Sequence, residues 1–203
     1  MGRVYDAAGI VMRGQGIHKG HEHIIDIAST LADRVVILVG SAQECGTKRN
    51  PYNVGTRIET LRAIYDDESR YIIKPLTDLS NENDINTDWG KYVIDNYKRY
   101  IYKAPSIIVY GKEEGRDGYS WFADEDMKKT TQIIVNRSDI PICATTLRDY
   151  LCMDDREMFF EWTNEKIHKY YDKLRGELLA VPYYKERAKQ LLTGEVEIAK
   201  SSF

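Results

Sequence analysis

Ala8-Gly9-Ile10-Val11-Met12-Arg13-Gly14-Gln15-Gly16-Ile17-His18-Lys19-Gly20-His21 is the stretch that decides the reading of this chain. An apolar run of strand character closes in nine residues that hold two imidazoles, an arginine and three glycines. A helical pattern then runs from Gly20 to Ala32. Helix N-termini draw anions through their free backbone N–H groups and their dipole, and glycine lets the backbone approach a ligand closely. The turn therefore reads as a phosphate site. With four histidines and 14 glycines in 203 residues, His-x-Gly-His is expected by chance only about 0.005 times. The plain alternative is a turn with two surface histidines. A zinc site at His18, His21 and His23 is disfavoured: His23 leaves the face that the other two share, and no fourth ligand stands at helical spacing.

The bulk numbers exclude several classes. The length fits one domain with a substantial core. At 42% hydrophobic, 30% charged and net charge −3, the chain carries no electrostatic footprint for duplex nucleic acid. The 15 tyrosines are spread along the chain rather than interleaved with basic clusters. No run approaches the roughly 18 consecutive apolar residues of a membrane span, and no signal-peptide pattern opens the sequence. Cys45, Cys143 and Cys152 are odd in number and fit no Cys-x-x-Cys spacing, which reads as reduced thiols in a cytoplasmic protein.

Strand-like runs fall at Tyr5–Met12, Arg34–Gly40, Arg70–Leu76, Ser106–Gly111 and Gln132–Asn136. Helix-like segments lie between them at Gly20–Ala32, Val54–Tyr65 and Thr87–Tyr102. Short apolar strands alternating with amphipathic helices predict an α/β fold: a Rossmann-like, doubly wound parallel sheet of about five strands. From Thr145 the chain reads as a helical extension, broken near Asp154 and at Pro182. The stretch from about Tyr183 is polar and reads as a loosely attached helix with a frayed tail. Ligands of such sheets bind at the carboxyl ends of the strands. Three loops fall there: the histidine turn, Gly40-Ser41-Ala42-Gln43 and Gly111-Lys112.

A second cluster, Ile142-Cys143-Ala144-Thr145-Thr146-Leu147-Arg148, leads two hydroxyls into a helix. Thr145 is a candidate N-cap. Arg148, three positions on, projects on the same side and can fork onto phosphate oxygens. Alone, the cluster reads equally as a capped helix; beside the histidine turn it reads as a clamp.

With both motifs in view, the chain resembles the nucleotidylyltransferases that carry His-x-Gly-His after the first strand and Ile-Ser-x-Thr-x-x-Arg near the C-terminus. Within them it is most similar to the nicotinamide-mononucleotide adenylyltransferases of archaeal type and to those fused to bacterial Nudix domains. The likeness spans roughly Tyr5 to Arg175. It includes Gly40-Ser41-Ala42-Gln43, the run Asn50-Pro51-Tyr52-Asn53-Val54-Gly55-Thr56-Arg57, Trp89, and the pair Gly111-Lys112. It implies a nucleotidylyltransferase domain over residues 1–181, C-terminal helices included, with 182–203 as a polar helical or frayed tail. The chain departs from the family in two places. Most relatives read Gly-Arg-Phe-Gln-Pro where this chain reads Met12-Arg13-Gly14-Gln15-Gly16, so a more mobile empty loop is expected. Cys143 replaces a serine, and a thiol is the weaker donor.

The resemblance implies transfer of AMP from ATP to the 5′-phosphate of nicotinamide mononucleotide, giving NAD and pyrophosphate. His18, His21 and Arg148 would be catalytic. Arg13, Gly14, Gln15, Gly16, Gly20, Gly111, Lys112, Thr145 and Thr146 would bind ATP. Ser41, Gln43, Arg57, Asn86 and Trp89 would bind the mononucleotide. The attacking phosphate has a second pKa of about 6, so no general base is needed, in keeping with the lack of a recognisable nucleophile–base pair. The two histidines would donate to phosphate oxygens, and Arg13 and Arg57 would screen repulsion between the substrates. Mg2+ would ride mainly on the ATP phosphates and water. An indole face at Trp89 would attract the pyridinium cation, with Asp84 and Asp88 reinforcing it. The same tryptophan also reads as a core anchor, and Trp121 is equally ambiguous. Lys48 reads as solvated.

Other acceptors (phosphopantetheine, FMN, or glycerol 3-phosphate with CTP) stay open, as does an adenine-nucleotide or NAD sensor without turnover. A P-loop kinase is excluded because Gly-x-x-x-x-Gly-Lys-Ser/Thr is absent, and no Nudix signature is present. Relatives commonly assemble, so a homo-oligomer is implied, with no nucleic-acid or membrane partner.

Overall fold

Residues 2–79, 87–111, 122–136 and 140–200 are described by the structure, a computed structural model. Five parallel strands form one sheet: β1 (Tyr5–Met12), β2 (Ala32–Val39), β3 (Tyr71–Pro75), β4 (Ile107–Gly111) and β5 (Thr131–Val135). Their order is β3-β2-β1-β4-β5. β1 and β2 are in register from Tyr5↔Ala32 to Met12↔Val39. β1 meets β4 at Ala8↔Ile107 and Gly9↔Ile108. The chain winds outward from β1 in both directions, so the crevice at the carboxyl ends of β1 and β4 is the topological switch point where such sheets bind ligands.

The central strands are apolar throughout because helices cover both faces. On one face, α1 (Lys19–Leu31) and α2 (Val54–Ile64) bury Ile24, Ile25, Ala28 and Leu61 against Ile10, Ile37 and Val109. On the other, α3 (Thr87–Ile101) buries Val93, Ile94, Tyr97 and Ile101 against Ala7, Val36 and Ile108. Gly9 permits that approach: a Cβ there would lie 2.6 Å from Tyr97 Cζ. α1 runs directly into β2, Ala32 being both the cap of the helix and the first strand residue. The strand therefore begins two residues before the expected Arg34. A short α4 (Asp124–Met127) precedes β5.

Beyond the sheet lie α5 (Ala144–Met153), α6 (Arg156–Trp162), a 3₁₀ segment (Glu165–Tyr170), α7 (Tyr171–Ala180) and α8 (Pro182–Thr193). The two breaks have local causes. Asp154 ends α5 in the left-handed conformation (φ 59°), and Pro182 sits in the first turn of α8, where its missing N–H costs nothing. These helices share one apolar cluster with Tyr52. The expectation of a loosely attached last helix is corrected here: Tyr184, Ala188 and Leu191 of α8 are buried, and Val196 and Ile198 pack on the same cluster. Its polar composition hid three apolar residues on one helical face. No helix among the described residues is long and apolar enough to cross a membrane.

Candidate active site

The site is built from the turn after β1. Gly14 and Gly16 take φ of +60° and +102°, the left-handed region that glycine occupies without penalty. The Gly16 N–H donates to the Gly14 carbonyl at 2.9 Å. Proline, fixed near φ −65°, could not follow this path at position 16. A Cβ on Gly16 would also stand 3.3 Å from Leu147 Cδ2, so the turn lies directly on α5. Residues 14–18 are buried, Gln15 Nε2 donates to Asn50 Oδ1, and the Tyr52 N–H donates to Gln15 Oε1. Contacts with residues far along the chain thus brace the turn.

His18 closes the turn and caps α1. Its Nδ1 accepts the Gly20 N–H at 3.1 Å, which leaves the proton of the neutral ring on Nε2. The ring is only 1% exposed, and the His21 ring lies 4.0 Å away, centroid to centroid. The pair is thus fixed by the helix it starts, with His18 in the donor tautomer that a phosphate oxygen requires.

Arg148 reaches the same turn from α5. Its guanidinium donates to the Gln15 carbonyl at 3.0 Å and to Thr145 Oγ1 at 3.1 Å. The first turns of α5 are therefore tied to the turn that leads into α1, across a sequence separation of 133 between Gln15 and Arg148. Thr145 is exposed beside a buried arginine. It is not the N-cap, however. Cys143 is, its Sγ accepting the Thr146 N–H at 3.5 Å. The Thr146 hydroxyl, expected at ATP, instead donates to the Ala199 carbonyl at 2.7 Å. Ala199 N–H in turn donates to Asp149, which also forms a two-pronged pair with Arg187.

The second loop corrects another expectation. Arg57, read as a phosphate-screening group, is 1% exposed. Its Nη1 donates to the carbonyls of Arg13 and Gly40 at 2.7 Å, and its Nη2 to that of Ser41 at 3.0 Å. Burial pulls its pKa down to about 10. It is a bracket between the two loops rather than a substrate contact. Ser41 takes a left-handed φ of 49° and its N–H donates to Asp78 Oδ1. Gln43 and Asp78 bond reciprocally, Nε2 to carboxylate and N–H to Oε1. Asp78 escaped the sequence reading because it stands in no motif.

Trp89 is half-buried at the start of α3, packed on the sheet-covering cluster with its ring 5.7 Å from that of Tyr92. Tyr92 in turn hydrogen-bonds Thr77, just beyond β3. Gly111 ends β4 opposite Val135. Gly20 lies in the first turn of α1, and Arg13 is exposed. Asp84, Asn86, Lys112 and Trp121 lie outside the described residues.

The sequence model of the cytidylyltransferase-like family matches residues 15–148, from the turn glutamine to the clamp arginine. The chain belongs to the cytidylyltransferase-like family. Among curated relatives, the nicotinamide-nucleotide adenylyltransferase of Pyrococcus abyssi is 38% identical over 104 residues, 49% of this chain and 54% of the relative. That of Saccharolobus solfataricus is 33% identical over 110 residues, 51% and 62% of the two chains. The chain thus matches only about half the length of these relatives. A bifunctional NMN adenylyltransferase/ADP ribose pyrophosphatase from Francisella tularensis, complexed with AMP and a Mn ion, superposes with a TM-score of 0.65 at 19% identity. That superposition covers 93% of this chain and 53% of the other, and it establishes the shared fold.

Proposed function

We propose that this cytidylyltransferase-like chain transfers AMP from ATP to the 5′-phosphate of nicotinamide mononucleotide, releasing pyrophosphate and forming NAD. One observation carries the reading: Arg148, bonded to Thr145, meets the His18–His21 turn at the Gln15 carbonyl. Such a meeting builds a cationic, N–H-rich cradle for one triphosphate at the switch point of the sheet. The names of the archaeal relatives support the choice of acceptor.

In this reading a phosphate oxygen of the mononucleotide attacks the α-phosphorus of ATP. The bond to the β-bridging oxygen breaks and its electrons leave with pyrophosphate. The nucleophile is already an anion near neutral pH, so the protein aligns reactants and offsets charge. His18 and His21 donate to phosphate oxygens as the α-phosphorus is attacked. Arg148, Thr145 and Arg13 hold the departing pyrophosphate, while Arg57 fixes the loops that carry Arg13 and Ser41. The half-buried Trp89 offers its face to the pyridinium ring. Mg2+ would enter on the triphosphate, with water completing its shell.

The test is pyrophosphate release with Mg-ATP and each acceptor in turn. Release with nicotinamide mononucleotide well above that with phosphopantetheine, FMN or, with CTP, glycerol 3-phosphate is the expected result. Release with another acceptor reassigns the substrate. ATP binding without any release would make the chain a nucleotide sensor.

A further inference from the structure

Tyr184 lies in α8, outside the matched family segment. It is 3% exposed. Its hydroxyl donates to the Lys48 carbonyl at 2.7 Å, and the guanidinium carbon of Arg148 lies 5.6 Å from its ring centroid. Lys48 belongs to the loop that reaches Asn50 and Tyr52, and these hold the Gln15 side chain. Gln15 holds Arg148 through its carbonyl. A closed circuit results: histidine turn, second loop, α8, Arg148, and back to the turn. The neighbouring Tyr183 adds to it, with Lys48 Nζ 4.4 Å from its ring centroid.

We infer that Tyr184 is a positioning residue for Arg148, holding the guanidinium toward the phosphate cradle and tying it to the loop that precedes α2. The inference rests on the proposed ATP site and extends it to a helix beyond the family motif. The electrostatics agree with the geometry. Burial raises the Tyr184 phenol, whereas the nearby Arg148 charge lowers it. A ring beside the guanidinium, 5.6 Å from centroid to Cζ, limits the rotamers of a long side chain, so less ordering remains when a polyphosphate binds.

Binding of a nonhydrolysable ATP analogue with Mg2+, followed by titration calorimetry, tests this without reference to the acceptor. Tyr184→Phe keeps the ring and removes the hydroxyl. It should bind about fivefold to tenfold more weakly than wild type, with the small fall in melting temperature that one lost hydrogen bond brings. In an Arg148→Ala background the same substitution should lower the melting temperature as before but change affinity less than about twofold, because a residue acting through Arg148 has nothing left to position. Equal affinity losses in both backgrounds, as a merely structural role would give, or none in either, overturn the inference. Wild-type binding of the analogue without pyrophosphate release would sink the adenylyl-transfer reading and leave this coupling measurable. A wild type that does not bind the analogue overturns both.

Discussion

Arg57 and Arg148 both grip the glycine turn by a backbone carbonyl, one from α2 at residue 13 and the other from α5 at residue 15. Each is buried, and each lies within the segment matched to the family. Their remaining partners differ. Arg57 gives its other bonds to two more backbone carbonyls, at Gly40 and Ser41. Arg148 gives one to a hydroxyl on an exposed residue, Thr145. A carbonyl locked into a loop is a permanent partner, whereas an exposed hydroxyl can yield its donor to an incoming phosphate. The same side chain thus serves as a bracket in one case and, under the proposed function, as a clamp in the other. The difference lies in the acceptors, not in the arginines.

The contrast is sharpest in stability. Arg57→Ala strands three carbonyls and should cost about 3–5 kcal/mol, read by urea unfolding; a near-wild-type midpoint would break the comparison. Arg148→Ala should behave oppositely. Turnover falls about 10²–10³-fold while stability drops by only about 1–2 kcal/mol, for two hydrogen bonds. His21→Ala belongs with Arg148→Ala, and wild-type-like turnover in either removes the clamp. Trp89→Ala should raise the Michaelis constant for the mononucleotide about tenfold and leave that for ATP little changed. Equal effects on both would move Trp89 from the acceptor side to the core.

The smallest effect concerns a half-buried acid in the first turn of α1. Glu22 accepts from Asn164 Nδ2 at 2.7 Å, yet its pKa is raised above the usual 4.5, chiefly by burial. A carboxyl raised in the folded state stabilises below its unfolded pKa and loses that contribution as pH climbs through the folded value. Glu22→Gln should therefore gain a few degrees of melting temperature at neutral pH. The gain should vanish below about pH 4.5. A gain that persists in acid would place its origin in packing.

How far all this could be read from the chain alone follows from the range of each signal. The five strands and the switch-point turn are written in local patterns: apolar runs, glycines, a histidine pair. The pairing of Arg148 with Thr145 is local too, a matter of helical spacing. What stayed hidden depends on contacts between distant residues. Arg57 reads as a free cation until the carbonyls at 13, 40 and 41 are seen around it. Thr146 looks like a phosphate hydroxyl until Ala199 takes it. The α8 segment looks detachable because its buried face holds only Tyr184, Ala188 and Leu191. Cys143 stands out as a substitution, but its capping of α5 depends on the path of the chain into the helix.

The strand order carries a consequence for biosynthesis. β1, β2 and β3 can pair as soon as they emerge from the ribosome, but the other neighbour of β1 is β4, about a hundred residues later. At about 5–20 residues per second of translation, the middle strand of the finished sheet spends roughly ten seconds as an open margin. Unpaired margins of this kind recruit other chains. Slowing elongation or raising temperature during expression should therefore aggravate losses to inclusion bodies, and a nascent-chain holdase should relieve them.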